Sequence, residues 1–298
     1  MIPGKKLLNL SIIFMTATMI ISCGGEEEQP DQLMEIKSDS TKSNLVNIEG
    51  QVFSLPSPIQ TAMLIQKSGA PYDASLLNEA KNVSKYTTNF QKALNLGILG
   101  ADLAYVTIYQ QTQNGITYLT AVNKLAEELG VSGAFSQDLI KRFERNMGNQ
   151  DSLLVMVSDA YQEADNFLKN NKRKDVSALV LTGGWIESLW FAVNVAEKTK
   201  NKDVIQRIGE QKITIKNLKK LLEPFYKEKP EYAELIDQLI DLETVFDQIV
   251  YTYEYVEPTH DVANRVTTIN SKTTVTINDE QLRSITEKIK QIRNKIIS

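Results

Sequence analysis

The chain has 298 residues, of which 42% are hydrophobic and 23% charged, with one cysteine, one histidine and a formal net charge of −4. A lone cysteine forms no disulfide within the chain, and a single histidine with a single thiol cannot assemble the common zinc sites. The acidic balance argues against nucleic acid as a partner, because a surface that binds it must neutralise phosphates with clustered Lys and Arg.

Lys5 and Lys6 precede an apolar run from Leu7 to Ile21. This is the layout of a secretory signal, a basic end followed by about 7–15 apolar residues and then small ones. The run falls short of the roughly 20 residues that span a bilayer comfortably. Ile20, Ile21, Ser22 and Cys23 resemble the lipobox of bacterial lipoproteins, in which cleavage before the cysteine exposes a thiol and an amine that carry acyl chains. The resemblance implies a signal peptide at 1–22, lipidation with palmitate-type chains at Cys23, and the lipid membrane as a partner. Each buried methylene contributes about 0.8 kcal/mol, so two or more chains make a stable anchor. Cleavage would remove Lys5 and Lys6 and no acid, taking the net charge to −6. The run Glu26 to Glu28 resembles the export tag of Bacteroidetes surface lipoproteins, and reads equally as a solvated acidic linker. The expected location is the outer membrane, on its periplasmic face or at the cell surface.

Residues 23–55 are rich in charge, Ser, Asn and Gly and show no sustained hydrophobic period. Such a segment cannot bury enough surface to offset its ordering entropy, and it reads as a flexible tether. Asp39-Ser40-Thr41 and Asp151-Ser152-Leu153 fit the short sequence at which Bacteroidetes O-glycosylate exported proteins, which makes Ser40 and Ser152 candidate modification sites.

From residue 56 to 298 the apolar spacing is helical nearly throughout. Ser57 and Pro58 open a short helix that ends at Gly69, and Asp73 is placed to cap a second over 74–86. From Thr88 to Gln113, Phe90, Ala93, Leu94, Gly97, Ile98, Ala101, Ala104, Tyr105 and Ile108 form one core-facing stripe. Further helices are expected at 116–129, 137–147, 152–169, 176–198, 204–225 and 232–253. A short extended segment near 266–278 interrupts the pattern, since Thr alternates there with Val and Ile. Asn278 then caps a last helix with Gln281 as its reciprocal partner, and Leu282, Ile285, Ile289, Ile292 and Ile296 form its seam. The fold class is all-α, an irregular antiparallel helical bundle. The alternative is a superhelical array of helical hairpins, although no repeat motif recurs at a fixed period.

Two helical stretches carry glycines, "ALNLGILGADLAYVTIYQQTQ" with Gly97 and Gly100, and "ALVLTGGWIESLWFAVNVAE" with Gly183 and Gly184. Glycine costs about 1 kcal/mol relative to alanine inside a helix, so close helix crossing is the simplest reason for it. The functional alternative is a ligand pocket lined by Asp102, Tyr105, Tyr109, Trp185, Glu187 and Trp190, because aromatic walls with a few polar groups suit a small molecule or a glycan. His260 lies in "EYVEPTHDVAN", where Pro258 breaks the helix that a Glu257/His260 metal pair would need. It is read as a loop residue, and no metal or other cofactor is expected. Tyr251, Tyr253 and Tyr255 would share one face only in extended backbone; the helical reading scatters them.

The nucleophile elbow of hydrolases and the glycine-rich loops that bind nucleotides are both missing, so neither an enzyme nor a nucleotide partner is indicated. "LNLGILGADLAY" and "LTGGWIESLW" resemble stretches of all-helical Bacteroidetes lipoproteins, a likeness that implies a fold and no site residues. The expected function is a membrane-anchored envelope lipoprotein with a non-catalytic interaction or accessory domain and an envelope protein as partner. The alternative is a lipoprotein that binds a small molecule or glycan between the glycine-bearing helices.

Overall fold

The structure, a computed structural model, describes residues 44–48, 51–55, 57–131 and 173–298, with a few more between 141 and 156. It is mostly helical, an all-α bundle with short antiparallel strand pairs. The helices in chain order are α1 (Pro58–Lys67), α2 (Asn89–Ile108), α3 (Thr112–Glu128), α4 (Lys174–Thr199), α5 (Lys202–Leu222), α6 (Pro230–Asp247) and α7 (Asp279–Ile297). The helices expected at 137–147 and 152–169 fall mainly outside the described residues.

Two helices form the centre. A helix apolar on all sides has no face to offer water and must be surrounded. That is the condition of α2, buried continuously from Ala93 to Ile108, and of α4, buried over most of Val176 to Ala196. These two pack mainly on each other, with α1 and α3 against α2, α5 and α7 against α4, and α6 bridging α5 and α7. By length and composition α4 could cross a membrane, but 89% of its most apolar window is buried inside the bundle. Its hydrophobicity is thus explained by the core it occupies. Asn95 of α2 donates to the Ile296 carbonyl at 2.9 Å, which ties the last helix to the centre. Closure of the chain's end onto an early helix makes this a bundle and not a linear array.

Local signals account for the helix ends. Thr88 and Gln91 form a capping box at α2, and Asn278 and Gln281 form one at α7 as their spacing predicts. Pro230 sits in the first turn of α6, where its missing N–H costs nothing. The stripe from Phe90 to Ile108 lies in α2 as expected, but the helical stretch expected to continue to Gln113 ends at Ile108, where Gln110 takes a left-handed conformation (φ 55°) before α3.

Three expectations need correction. Residues 74–86 form two short 3₁₀ stretches, Ala74–Leu76 and Ala80–Lys85, instead of an α-helix. Leu76 and Tyr86 are buried in the core, and the polar contacts of Asn78 described below help to hold this segment. Within the expected tether, β1 (Asn44–Ile48) pairs antiparallel with β2 (Gln51–Leu55).

The third correction is the largest. The helix expected over 232–253 ends at Asp247, and β3 (Val250–Glu254) follows it. It pairs with β6 (Lys272–Thr276), while β4 (Thr259–Asp261) pairs with β5 (Val266–Thr268) further out. The outgoing strand has four residues between its ladders, Tyr255 to Pro258, and the returning one has three, Ile269 to Ser271. The pairing is interrupted between the two ladders. "VYTYEYV" is aromatic and β-branched at alternate positions, and that preference prevails once β6 supplies a partner.

Candidate functional site

At the crossing of α2 and α4 the backbones touch. A Cβ on Gly97 would sit 2.0 Å from the Val180 carbonyl oxygen, and one on Gly183 would sit 2.0 Å from that of Leu94. Glycine at both positions allows this approach, and the crossing is filled. Asp102, Tyr105 and Glu187 are each 0% exposed. A ligand arriving from solvent cannot reach them.

The six pocket candidates separate into three places. Asp102 and Glu187 do come together, in a buried polar cluster completed by Arg293 of α7. Arg293 Nε donates to Glu187 Oε2 at 2.5 Å and Nη2 to Oε1 at 2.7 Å, a bidentate pair. Nη2 also donates to the Leu76 carbonyl at 2.9 Å, and Trp190 Nε1 donates to the same oxygen at 3.0 Å. The guanidinium lies over the Trp190 ring, 5.1 Å from its centroid. Tyr105 and Tyr109 belong to an aromatic cluster with Tyr72 and Phe191, in which Tyr105 lies 4.6 Å from Phe191 between ring centroids. Trp185 points elsewhere and donates to Gln211 of α5 at 3.0 Å.

Charge explains the protonation of the cluster. Burial, then the neighbouring Glu187 charge, push the Asp102 carboxyl well above the usual carboxylate range. Neither Asp102 oxygen makes a hydrogen bond of good geometry, and the Asn78 backbone N–H, which favours the ionised form, is outweighed by burial and the Glu187 charge. Protonated, it can give its own O–H to Glu187, whose pKa burial raises and Arg293 opposes. The consistent state is a neutral Asp102 beside an ionised Glu187–Arg293 pair, with no net buried charge. Beside it, Asn78 donates to the Tyr86 hydroxyl at 3.0 Å while its carbonyl accepts from Tyr118 at 2.9 Å. Burial raises the pKa of both tyrosines. The arrangement fixes residues 74–86 to the bundle.

Arg293, Asn78, Asn95, Tyr86 and Tyr118 are the members that sequence reasoning missed. Arg293 had a visible signal, since it lies four residues after Ile289 and three before Ile296, inside the apolar seam of α7.

Among the described residues, two surface clefts are notable, and neither includes a pocket candidate. One, of about 300 Å³, is lined by Phe90, Leu94, Leu235, Gln238, Lys295 and Ile296 among others. The other, of about 710 Å³, lies between α5 and α6 beside Lys216, Lys220, Lys227, Tyr226, Ile236 and Ile240. Among the described residues no group of three or more His, Cys, Asp or Glu is placed to hold a metal ion. His260 lies in β4, an exposed strand, with Nδ1 3.0 Å from the Thr267 hydroxyl. Ser152 is half-buried, its backbone N–H donating to Asn149 Oδ1, while Ser40 and Cys23 lie outside the described residues.

Among the described residues, the most exposed large apolar side chains lie on the arm formed by residues 250–276. Val262 is 85% exposed, Ile269 78%, Tyr255 69% and Tyr253 64%. Its base is fixed to α5. Val275 occupies the space a side chain on Gly209 would take, Tyr251 donates to the Gly209 carbonyl, and Gln206 bonds the backbone of both Thr273 and Val275. Comparison of the chain with protein-family models, with curated proteins and with solved structures returned no match, so the reading of this surface rests on its own chemistry.

Proposed function

We propose that this chain is a membrane-anchored envelope lipoprotein whose helical domain is a non-catalytic interaction or accessory module, with the arm as its contact surface. Lys5, Lys6, the apolar run to Ile21 and Cys23 support the anchor, and with it a place at the outer membrane. The observation that carries the interaction reading is the contrast between core and arm. The core uses its acids, its arginine and its asparagines to fasten its own segments, which leaves them no access to a substrate. The arm holds apolar and aromatic side chains in water, on ladders only two strands wide whose inner end is tied to α5 by Gln206. A two-stranded ribbon is marginal by itself, and exposed edges and apolar residues are usually avoided unless something binds them.

Two measurements test the reading. Cys23→Ala is expected to leave the precursor uncleaved or to release the protein from the membrane fraction; normal cleavage with full membrane retention would overturn the anchor. Crosslinking in intact envelopes from positions 253 and 262 is expected to capture a specific macromolecule. Capture from positions on α3 or α6 with none from the arm would overturn the assignment of the contact surface.

A further inference from the structure

We propose that the cleft between α5 and α6 binds a single-chain amphiphile with an anionic head group. The site lies on the bundle, and its assignment is independent of the arm as contact surface. A 3₁₀ turn, Glu223–Phe225, leads from the end of α5 toward α6. The cleft of about 710 Å³ is lined by this turn and by both helices. That volume falls within the roughly 300–1,000 Å³ of small-molecule sites and exceeds what a bare anion needs.

Apolar side chains and an excess of basic ones meet in this cleft. Ile236 is buried, whereas Ile240 is 42% and Tyr226 38% exposed. Outside the arm, the exposed large apolar side chains among the described residues are Val155, Ile213, Tyr226 and Ile240, and the last two line this one cleft. Concave apolar surface left in water is where the apolar body of a ligand gains most on binding. Around it stand Lys216, Lys219, Lys220 and Lys227, against Glu223 and Glu243. Glu243 is already paired with Lys219 and lies 3.9 Å from Lys216, which also meets Asp247 at 3.0 Å. Asp237 accepts from the Tyr226 hydroxyl at 3.2 Å. Lys220 and Lys227 make no hydrogen bond or ion pair among the described residues. The lining therefore carries more positive than negative charge, in a chain whose net charge is −4.

Two ammonium groups without an acid, beside an apolar wall, match a carboxylate or phosphate carried on an alkyl chain. Lysine suits this work, because its ammonium is a mobile point charge and its methylene stem extends the apolar surface. The same observations weigh against other occupants. A neutral ligand would leave both ammonium groups without a counter-charge, and a metal cation would be repelled by them. A flat bilayer surface cannot fill a concave site.

The test is photolabelling of the full chain in maltoside micelles with decanoic acid bearing a terminal diazirine, read by peptide mass spectrometry. Label is expected on peptides containing Tyr226 or Ile240, and octanoate or octyl phosphate should compete for it while octyl glucoside does not. Whichever anion competes at the lower concentration identifies the head group. Lys220→Gln/Lys227→Gln is expected to reduce labelling about fivefold or more, and Lys220→Arg/Lys227→Arg to keep most of it. Neither variant should shift the melting midpoint, since these lysines have no partner to lose. Label without enrichment at the cleft, equal labelling of the glutamine variant, or equal competition by octyl glucoside overturns the proposal. Binding to phosphatidylglycerol vesicles that needs both lysines, without labelling of the cleft, overturns the discrete ligand in favour of a membrane-facing patch.

Discussion

At the residue scale, Asp102, Glu187 and Arg293 act as a fastening. Removing one member of a buried ion pair leaves the other charge without a partner, which costs about 3–5 kcal/mol. Arg293→Met is therefore expected to lower the melting midpoint strongly, and Arg293→Met/Glu187→Gln to recover much of the loss, both measured by thermal denaturation. Asp102 makes a separate prediction. In the unfolded chain it titrates at about pH 3.9, whereas burial and Glu187 raise its pKa well above that in the fold. Over the interval between those two values the folded state holds a proton that the unfolded state has released, so stability falls as pH rises through it. Asp102→Asn keeps a donor toward Glu187 without the proton. It should be more stable than the wild type at neutral pH, with the difference vanishing near pH 4. A constant difference across that range would contradict the protonated assignment. Asp102 and Glu187 stand out in the sequence as acids in apolar stretches, and their proximity was the right suspicion. Their meaning was not legible, because the arginine between them and Leu76 comes from a helix 106 residues after Glu187.

At the element scale, glycine positions decide two contacts. Gly97→Ala and Gly183→Ala each improve helix propensity by about 1 kcal/mol. Each also drives a methyl group into a facing carbonyl 2.0 Å away. Backbone does not yield as a side chain does, so the overpacking cost, about 1–3 kcal/mol and here at its upper end, should win. Melting midpoints below that of the wild type would show it, and a rise would mean the helices separate without loss. Gly209→Ala should act locally. Its methyl would meet Val275 Cγ1 at 2.1 Å and lift the base of the arm, so proteolysis within 250–276 should accelerate while the bundle's own melting changes little. Helix starts were readable at this scale, Asn278 and Gln281 being the clearest, since a capping box needs only residues three apart. The end of α6 was not. Val250 to Val256 is compatible with either helix or strand, and the choice went to the strand because β6 lies alongside.

For the whole molecule, the bundle and the arm are separable in stability. Tyr251 and Val275 fasten the arm at one end, and the strands beyond them bury almost nothing. Replacing 255–271 by a two-residue Asn-Gly turn, which suits a tight hairpin, should leave helical content unchanged and shift the melting midpoint by no more than a few degrees. Loss of cooperative folding would instead make the arm part of the core. This variant should also lose whatever the arm binds, which turns a stability measurement into a functional control.

The sequence by itself determined what depends on composition and short spacing. The all-α class, the caps of α7 and the tight approach of the glycine-bearing helices follow from local periodicity and from the absence of a Cβ, which are properties of a few neighbouring residues. The tertiary structure alone decided which far residues share an environment. Arg293 found Glu187, β3 found β6 and Asn78 found Tyr86 and Tyr118, and in each case the free energy lies in a contact that exists only after the chain has folded. For that reason two carboxylates that look like a site in the sequence are a buried fastening, and Tyr251 and Tyr253, which look like the end of a helix, stand on one face of a strand.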